Sequence, residues 1–407
     1  MSQLIVSHLV SVRERSKFLA IIFAMFGVGA SVGPVLGGVL VQRASWRWAF
    51  WLNLPIGGIT LGLLYFFLHG TAAAGRLPLL EKLKTIDWAG NALLTGSCVP
   101  LLLALSWART RYPWSSWKVI LPAVVGLVGQ AGFCVFEGSK YCKHPMMPPR
   151  VFANRTSGAA MAFTFFQTML QGSRIYFLPV YFQGVRLASP ETSGLLMLPS
   201  VVAGPPSAVI AGYAVTRCGR YKPIHLAGLG LAAVGAGLFM RLVRSTTMVE
   251  VVMSQIVISC GAGMLPNTVL PAIQASLPQA DLVACTSAFS FLRSYGNVWA
   301  LPISSFIFSS WFSAHANEID VYANVSPGSA YAHASARFIK SLPGDVGSQL
   351  ITLYADSLRL LWDVSLGISI ACFLAALLER EVPMATTAMS ETRLTDSRTP
   401  PRPPETR

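Results

Sequence analysis

Two arginines, Arg174 and Arg293, fall inside long apolar runs of this chain. A guanidinium at the centre of a bilayer costs at least about 2.5–3.5 kcal/mol unless it faces a polar cavity or snorkels to the interface. Arg293 is therefore expected to face the interior of a helical bundle. Arg174 is open to three readings: a substrate-cavity cation, a position drifting without selection, or a span boundary drawn wrongly. Gln167, Gln171 and Asn297 could share such a cavity, and each could equally be a helix–helix hydrogen bond. Proton transfer across a membrane needs a carboxylate that titrates in the interior. None of the 17 acids stands in the middle of an apolar run; Asp87, Glu137 and Asp363 stand at run ends. The six histidines are scattered, and the seven cysteines lack metal-ligand spacing and read as small packing residues. No HExxH, P-loop, GxSxG or strand-linked GxGxxG pattern occurs, so an enzyme is not expected, nor a metal or an organic cofactor.

The elements that must position these residues follow from composition. The 407 residues are 53% apolar and 12% charged, with a mean hydropathy of +0.55. A soluble domain carries about 25% charged residues, and a disordered chain needs low hydrophobicity; both classes are excluded. Ten runs are long enough to span a bilayer: roughly 18–41, 48–69, 87–107, 117–137, 157–182, 192–214, 223–243, 249–272, 285–312 and 359–378. The expected fold is an all-α polytopic membrane protein. The net charge of +14 could signal nucleic acid, but the cations lie between apolar runs rather than on one face, which fits the positive-inside rule. With ten spans, the side holding residues 1–17, here side one, carries 18 Lys and Arg, and the other, side two, carries 11. Side one is expected to be cytoplasmic, with both termini there. Residues 313–358 read as one long outer loop, and 381–407 as a disordered tail rich in Thr, Ser, Pro and Arg.

Two local patterns carry more. Gly29, Gly33, Pro34, Gly37 and Gly38 lie in the first run; Gly33 and Gly37, four apart, share a face and permit close approach of a second helix, and Pro34 kinks the helix. The whole string resembles the antiporter motif of the major facilitator superfamily, found in drug:proton antiporters. Trp46 to Gly57, Ile86 to Gly90, Leu178 to Gln183, Phe291 to Gly296 and Ser357 to Trp362 resemble, in order, further landmarks of the fourteen-span members. The resemblance covers about residues 1–383 and is closest to fungal efflux pumps for toxins and secondary metabolites. Arg217, Gly219, Arg220 and Lys222 resemble the C-half copy of that family's loop motif, which has an acid where Thr216 stands here. They are either gating contacts or a plain positive-inside loop; any charge latch built on them must use an acid from elsewhere.

The resemblance implies a major-facilitator bundle that expels a small, amphipathic organic molecule against a proton gradient, in a plasma membrane. It also implies that the first three to four helices of the family are not in this sequence. Residues 1–17 would be a helix remnant and basic loop, 18–69 two helices of the N-terminal bundle, 70–156 two linker helices and a cytoplasmic loop, and 157–380 a complete C-terminal six-helix bundle. Impaired transport is therefore expected. The alternatives are a transport-incompetent fragment that associates with other membrane helices, a wrongly assigned gene start, or a siderophore transporter.

Overall fold

A computed structural model describes Met25, Gly29 and residues 32–67, 87–108, 111–142, 145–278, 281–316 and 334–381. Residues 1–17, most of 18–31 and the tail from 382 lie outside the described residues, so the expectations placed there have no structural counterpart.

Described secondary structure is helical. Residues 32–43 form a helix that carries most of the glycine motif. It is followed by α1 (Trp48–Trp51) and α2 (Asn53–Phe67). Next come α3 (Trp88–Trp107) and α4 (Trp117–Glu137), where linker helices are expected. Then come α5 (Pro149–Phe152), α6 (Arg155–Val180) and a π-turn at Tyr181–Val185. Next are α7 (Pro190–Leu196), α8 (Leu198–Cys218), α9 (Lys222–Phe239), α10 (Met248–Gly263) and α11 (Val269–Ala275). The chain closes with α12 (Leu282–His315), α13 (Ala336–Lys340) and α14 (Gly344–Leu377). Helix starts carry sequence-encoded caps. The Asp87, Ser116 and Asn154 side chains each accept from an orphan backbone N–H, and Thr247 and Glu250 form a reciprocal capping box.

Six helices among the described residues are long and apolar enough to cross a bilayer: Trp48–Phe66, Trp88–Trp107, Trp117–Glu137, Pro190–Val215, Lys222–Phe239 and Gly344–Leu377. Helices α6 and α12, 26 and 34 residues long, are as extended but carry Gln167, Gln171, Arg174 and Arg293.

Two expectations are corrected. The expected span 249–272 is not one helix: it breaks between Gly263 and Val269, where Pro266 interrupts it. The expected outer loop 313–358 contains α13 and the first half of α14, which starts at Gly344 and runs unbroken for 34 residues. At 1.5 Å per residue that helix is about 51 Å long, against about 30 Å of hydrocarbon. Its charged first half, with Asp345, Asp356 and Arg359, hid it from a hydropathy reading. Asp363 is the twentieth of its 34 residues.

The core of the C-terminal bundle is two apolar layers with a polar one between. One layer joins Phe177 and the π-turn to Phe239, Phe308, Phe312, Tyr354 and Trp362. The other joins Met161 and Phe163 to Leu229, Val269, Phe289 and Cys372. Between them α6 presents Gln167 and Arg174, and α14 presents Ser365 and Ser369. The α9–α10 crossing is close because glycines line it: a Cβ on Gly235 would strike Ile258, and one on Gly261 would strike Ala232 and Gly228. Neither obstacle can yield, since the atoms include backbone. Gly235→Val and Gly261→Val should each cost at least about 1–3 kcal/mol and lower the Tm of the detergent-purified chain. Gly237→Ala, whose added carbon meets only Leu366 at 4.0 Å, should leave Tm unchanged.

Candidate functional site

The polar layer opens into two recesses that share Gln167. The larger holds about 30 Å³, room for one or two waters; Gln167, Gln171 and Arg293 line it, with Pro266 from the broken α10–α11 segment. The smaller, about 10 Å³ or the size of one water, is lined by Gln167, Arg174, Trp362, Ser365 and Ser369. Irregular backbone at membrane depth is tolerated where it borders such a cavity. Two buried donors facing this layer, Gln167 Nε2 and Arg174 Nε, have no hydrogen-bond partner, and neither does Trp362 Nε1. A buried donor left unsatisfied costs about 1–3 kcal/mol, so these groups are poised for a polar guest or water. Arg293 stays exposed and lies 5.8 Å over the Phe289 ring, a cation–π arrangement. The structure thus groups four of the five cavity candidates. Asn297 lines neither recess; it is exposed on α12, and its Oδ1 lies 3.4 Å from where a Cβ on Gly172 would stand.

On side two, helix 32–43 seats against α7. A Cβ on Gly38 would meet the Pro190 carbonyl, and one on Gly194 would meet the Pro34 carbonyl. Gly29, Gly33 and Gly37 have open space where a Cβ would go, so the close approach runs through Gly38 and Pro34 rather than the Gly33–Gly37 pair. Polar contacts secure this seam. Arg43 makes a two-pronged pair with Glu191 at 2.9 and 3.1 Å, and Gln42 Oε1 accepts from the Glu191 N–H at 3.1 Å.

On side one, the loop motif meets the end of α14. Gly219 supplies the left-handed turn that ends α8, with φ +66°. Arg220 pairs with Glu381 at 3.0 Å. Lys222 Nζ donates to the Leu377 and Glu379 carbonyls at 2.9 and 2.6 Å, capping the last turn of α14. The Tyr221 hydroxyl donates to the Arg380 carbonyl at 2.6 Å. Arg217 is not part of this group; its Nη1 donates to the Tyr213 hydroxyl on its own helix at 3.2 Å. Beneath these contacts His225 Nδ1 bonds both Glu379 oxygens, at 3.0 and 3.3 Å, with both side chains fully buried. Phe163 and Tyr221 flank the imidazole, and its Nε2 has no partner.

Sequence reasoning missed His225, Glu379, Ser365 and Ser369. His225 carried a usable signal, an ionisable residue three positions into a span. Glu379 carried none, because 154 residues separate it from its partner. Asp363 is the twentieth residue of α14, next to the recess residue Trp362, and its Oδ1 is buried with no hydrogen-bond partner.

Known proteins supply the context. Residues 1–301 match the family model described as Major Facilitator Superfamily. The MFS-type transporter gkaD of Penicillium citrinum is 40% identical over 94% of this chain and 66% of its own length. The MFS-type transporter pydD of an Acremonium species is 41% identical over 94% of this chain and 68% of its own. The MFS-type efflux transporter pyiT of Pyricularia grisea is 38% identical over 96% and 65%. The chain thus spans about two thirds of the length of the curated relatives it matches. Among solved structures, a bacterial homologue of the human lysosomal transporter Spinster aligns over 88% of this chain and 81% of its own, at 15% identity and a TM-score of 0.44.

Removing one partner of a buried pair strands the other and costs about 3–5 kcal/mol, whereas an apolar replacement of both is often neutral. His225→Leu and Glu379→Leu should therefore each lower the Tm sharply, and the double variant should recover most of the loss. Equal, additive losses in a double-mutant cycle would show that the two side chains act independently.

Proposed function

This chain belongs to the major facilitator superfamily, and we propose that it acts there in proton-coupled export of small amphipathic organic molecules. The observation that carries this reading is the polar layer between two apolar ones, with unpaired buried donors on Gln167 and Arg174 bordering a water-sized recess. A packed structural core satisfies such donors; a transport cavity leaves them for the cargo. The donors call for acceptors, so the cargo carries carbonyl, hydroxyl or carboxylate groups on an apolar frame that Trp362, Phe163 and Phe289 can cover. Relatives described as efflux transporters support the direction of transport.

Proton coupling needs a titratable group in the helices that move. We assign that part to Asp363 on α14, whose Oδ1 is buried and unpaired; the His225–Glu379 pair lies at the side-one end. The Arg220–Glu381 pair and Lys222 surround that end and act as the charge latch on side one, which positive-inside bias makes cytoplasmic. The plasma membrane is the location implied by the family resemblance.

A second reading rests on α2. The spanning window Trp48–Phe66 has no buried residue, so its apolar surface faces lipid or further helices. In that reading this chain exports only when such helices are supplied.

Reconstitution in proteoliposomes with an imposed pH gradient and an amphipathic fluorescent dye tests both. Gradient-driven dye movement, collapsed by a protonophore and reduced at least tenfold by Arg174→Ala and by Asp363→Asn, is the expected result. Movement that appears only on co-reconstitution with helices of an intact relative supports the second reading. Dye movement indifferent to the gradient and to both substitutions contradicts the proposal.

A further inference from the structure

Away from the bundle, three metal-ligating side chains converge on the side-one ends of α3 and α4. Asp87 caps α3, Glu137 closes α4, and Cys142 follows on the loop. One donor atom from each, two carboxylate oxygens and the thiol sulfur, lie within 4.8 Å of one another. Backbone amides hold one oxygen of each acid: Gly90 N–H donates to Asp87 Oδ1 at 2.8 Å, and Met147 N–H to Glu137 Oε2 at 2.9 Å. The Cys142 thiol donates to Asp87 Oδ2 at 3.4 Å. Glu137 is 4% exposed, and its Oε1 is buried with no hydrogen-bond partner.

The cluster thus brings two carboxylates, one of them buried, to a thiol. Among the described residues neither forms an ion pair. We propose that Asp87, Glu137 and Cys142 form a divalent transition-metal site whose ion is Zn²⁺. Magnesium and calcium take oxygen donors alone, whereas a thiolate beside carboxylates selects a softer ion. Tetrahedral Zn²⁺, with bonds of about 2.0–2.3 Å, holds its donors about 3.3–3.8 Å apart. The three side chains need to close by roughly 1 Å to reach that spacing. On binding, the Cys142 thiol gives its proton to solvent and a Zn–S bond forms; two carboxylates and one thiolate around Zn²⁺ leave a net charge of −1. The fourth position is open to water. The Gly90 and Met147 amides act as the outer shell that orients the ligands. Asp87 and Cys142 are only half-buried, which gives the ion a path in. In the sequence, spacings of 50 and 5 residues hide the site. Once formed, it ties the start of α3 to the chain leaving α4.

The test is Co²⁺ titration of the full chain, stripped with a chelator and purified in detergent. One equivalent should bind, with a thiolate-to-cobalt absorption band in the near ultraviolet that Zn²⁺ displaces. Cys142→Ser should abolish the band, while Cys134→Ser and Cys218→Ser should keep it. Asp87→Asn, which retains helix capping, should weaken binding at least tenfold. Zn²⁺ should also raise the Tm of the parent but not of Cys142→Ser. Failure to saturate at one equivalent, or a band that survives Cys142→Ser, overturns the assignment.

Discussion

Hydrocarbon offers no partner to a polar group, and every feature of this bundle answers to that constraint. Apolar side chains fill two layers of the core without conflict. The polar groups that enter must be paired, capped or given space. His225 and Glu379 are paired; Ser304 and Ser173 donate and accept between α12 and α6 at 2.6 Å. Gln167 and Arg174 have space instead, and that space is what turns a helical bundle into a candidate carrier.

The two ends of the bundle solve different problems. On side two, backbone meets backbone: Gly38 and Gly194 bring helix 32–43 against α7, and the Arg43–Glu191 pair fixes the register. On side one, side chains meet the unsatisfied carbonyls at the end of α14, with Lys222 and Tyr221 donating and Arg220 neutralising Glu381. Both ends carry an exposed ion pair, and side one adds half-buried hydrogen bonds over the buried His225–Glu379 pair. Exposed ion pairs are worth about 0–1 kcal/mol each, so Arg43–Glu191 and Arg220–Glu381 can each break at little cost. A carrier that opens alternately to its two sides needs contacts of that strength.

Much of the fold was legible because apolar runs of about 20 residues have one stable solution in a bilayer. What the runs did not show arises where polarity and helicity part company. The first half of α14 is helical yet charged, so it read as loop. Pro266 breaks a run that is apolar throughout, so α10 and α11 read as one span. At the site, Arg174 and Arg293 were conspicuous as charges among apolar neighbours. Their companions Ser365 and Ser369 were not, since serine is common in membrane helices. The acid that answers the side-one arginine was foreseen as a need but not as Glu381, because pairing across 161 positions is decided by packing.

The most direct measurement is solvent access to the polar layer. Ser365→Cys, placed in a chain whose exposed cysteines are replaced by serine, reports on the recess it lines with Arg174. Reaction with a membrane-impermeant thiol reagent, slowed when an amphipathic carboxylate is added, is the result expected of a transport cavity. A thiol that stays unreactive from both sides of the membrane, under conditions where an exposed control cysteine reacts fully, would make the polar layer a sealed structural core.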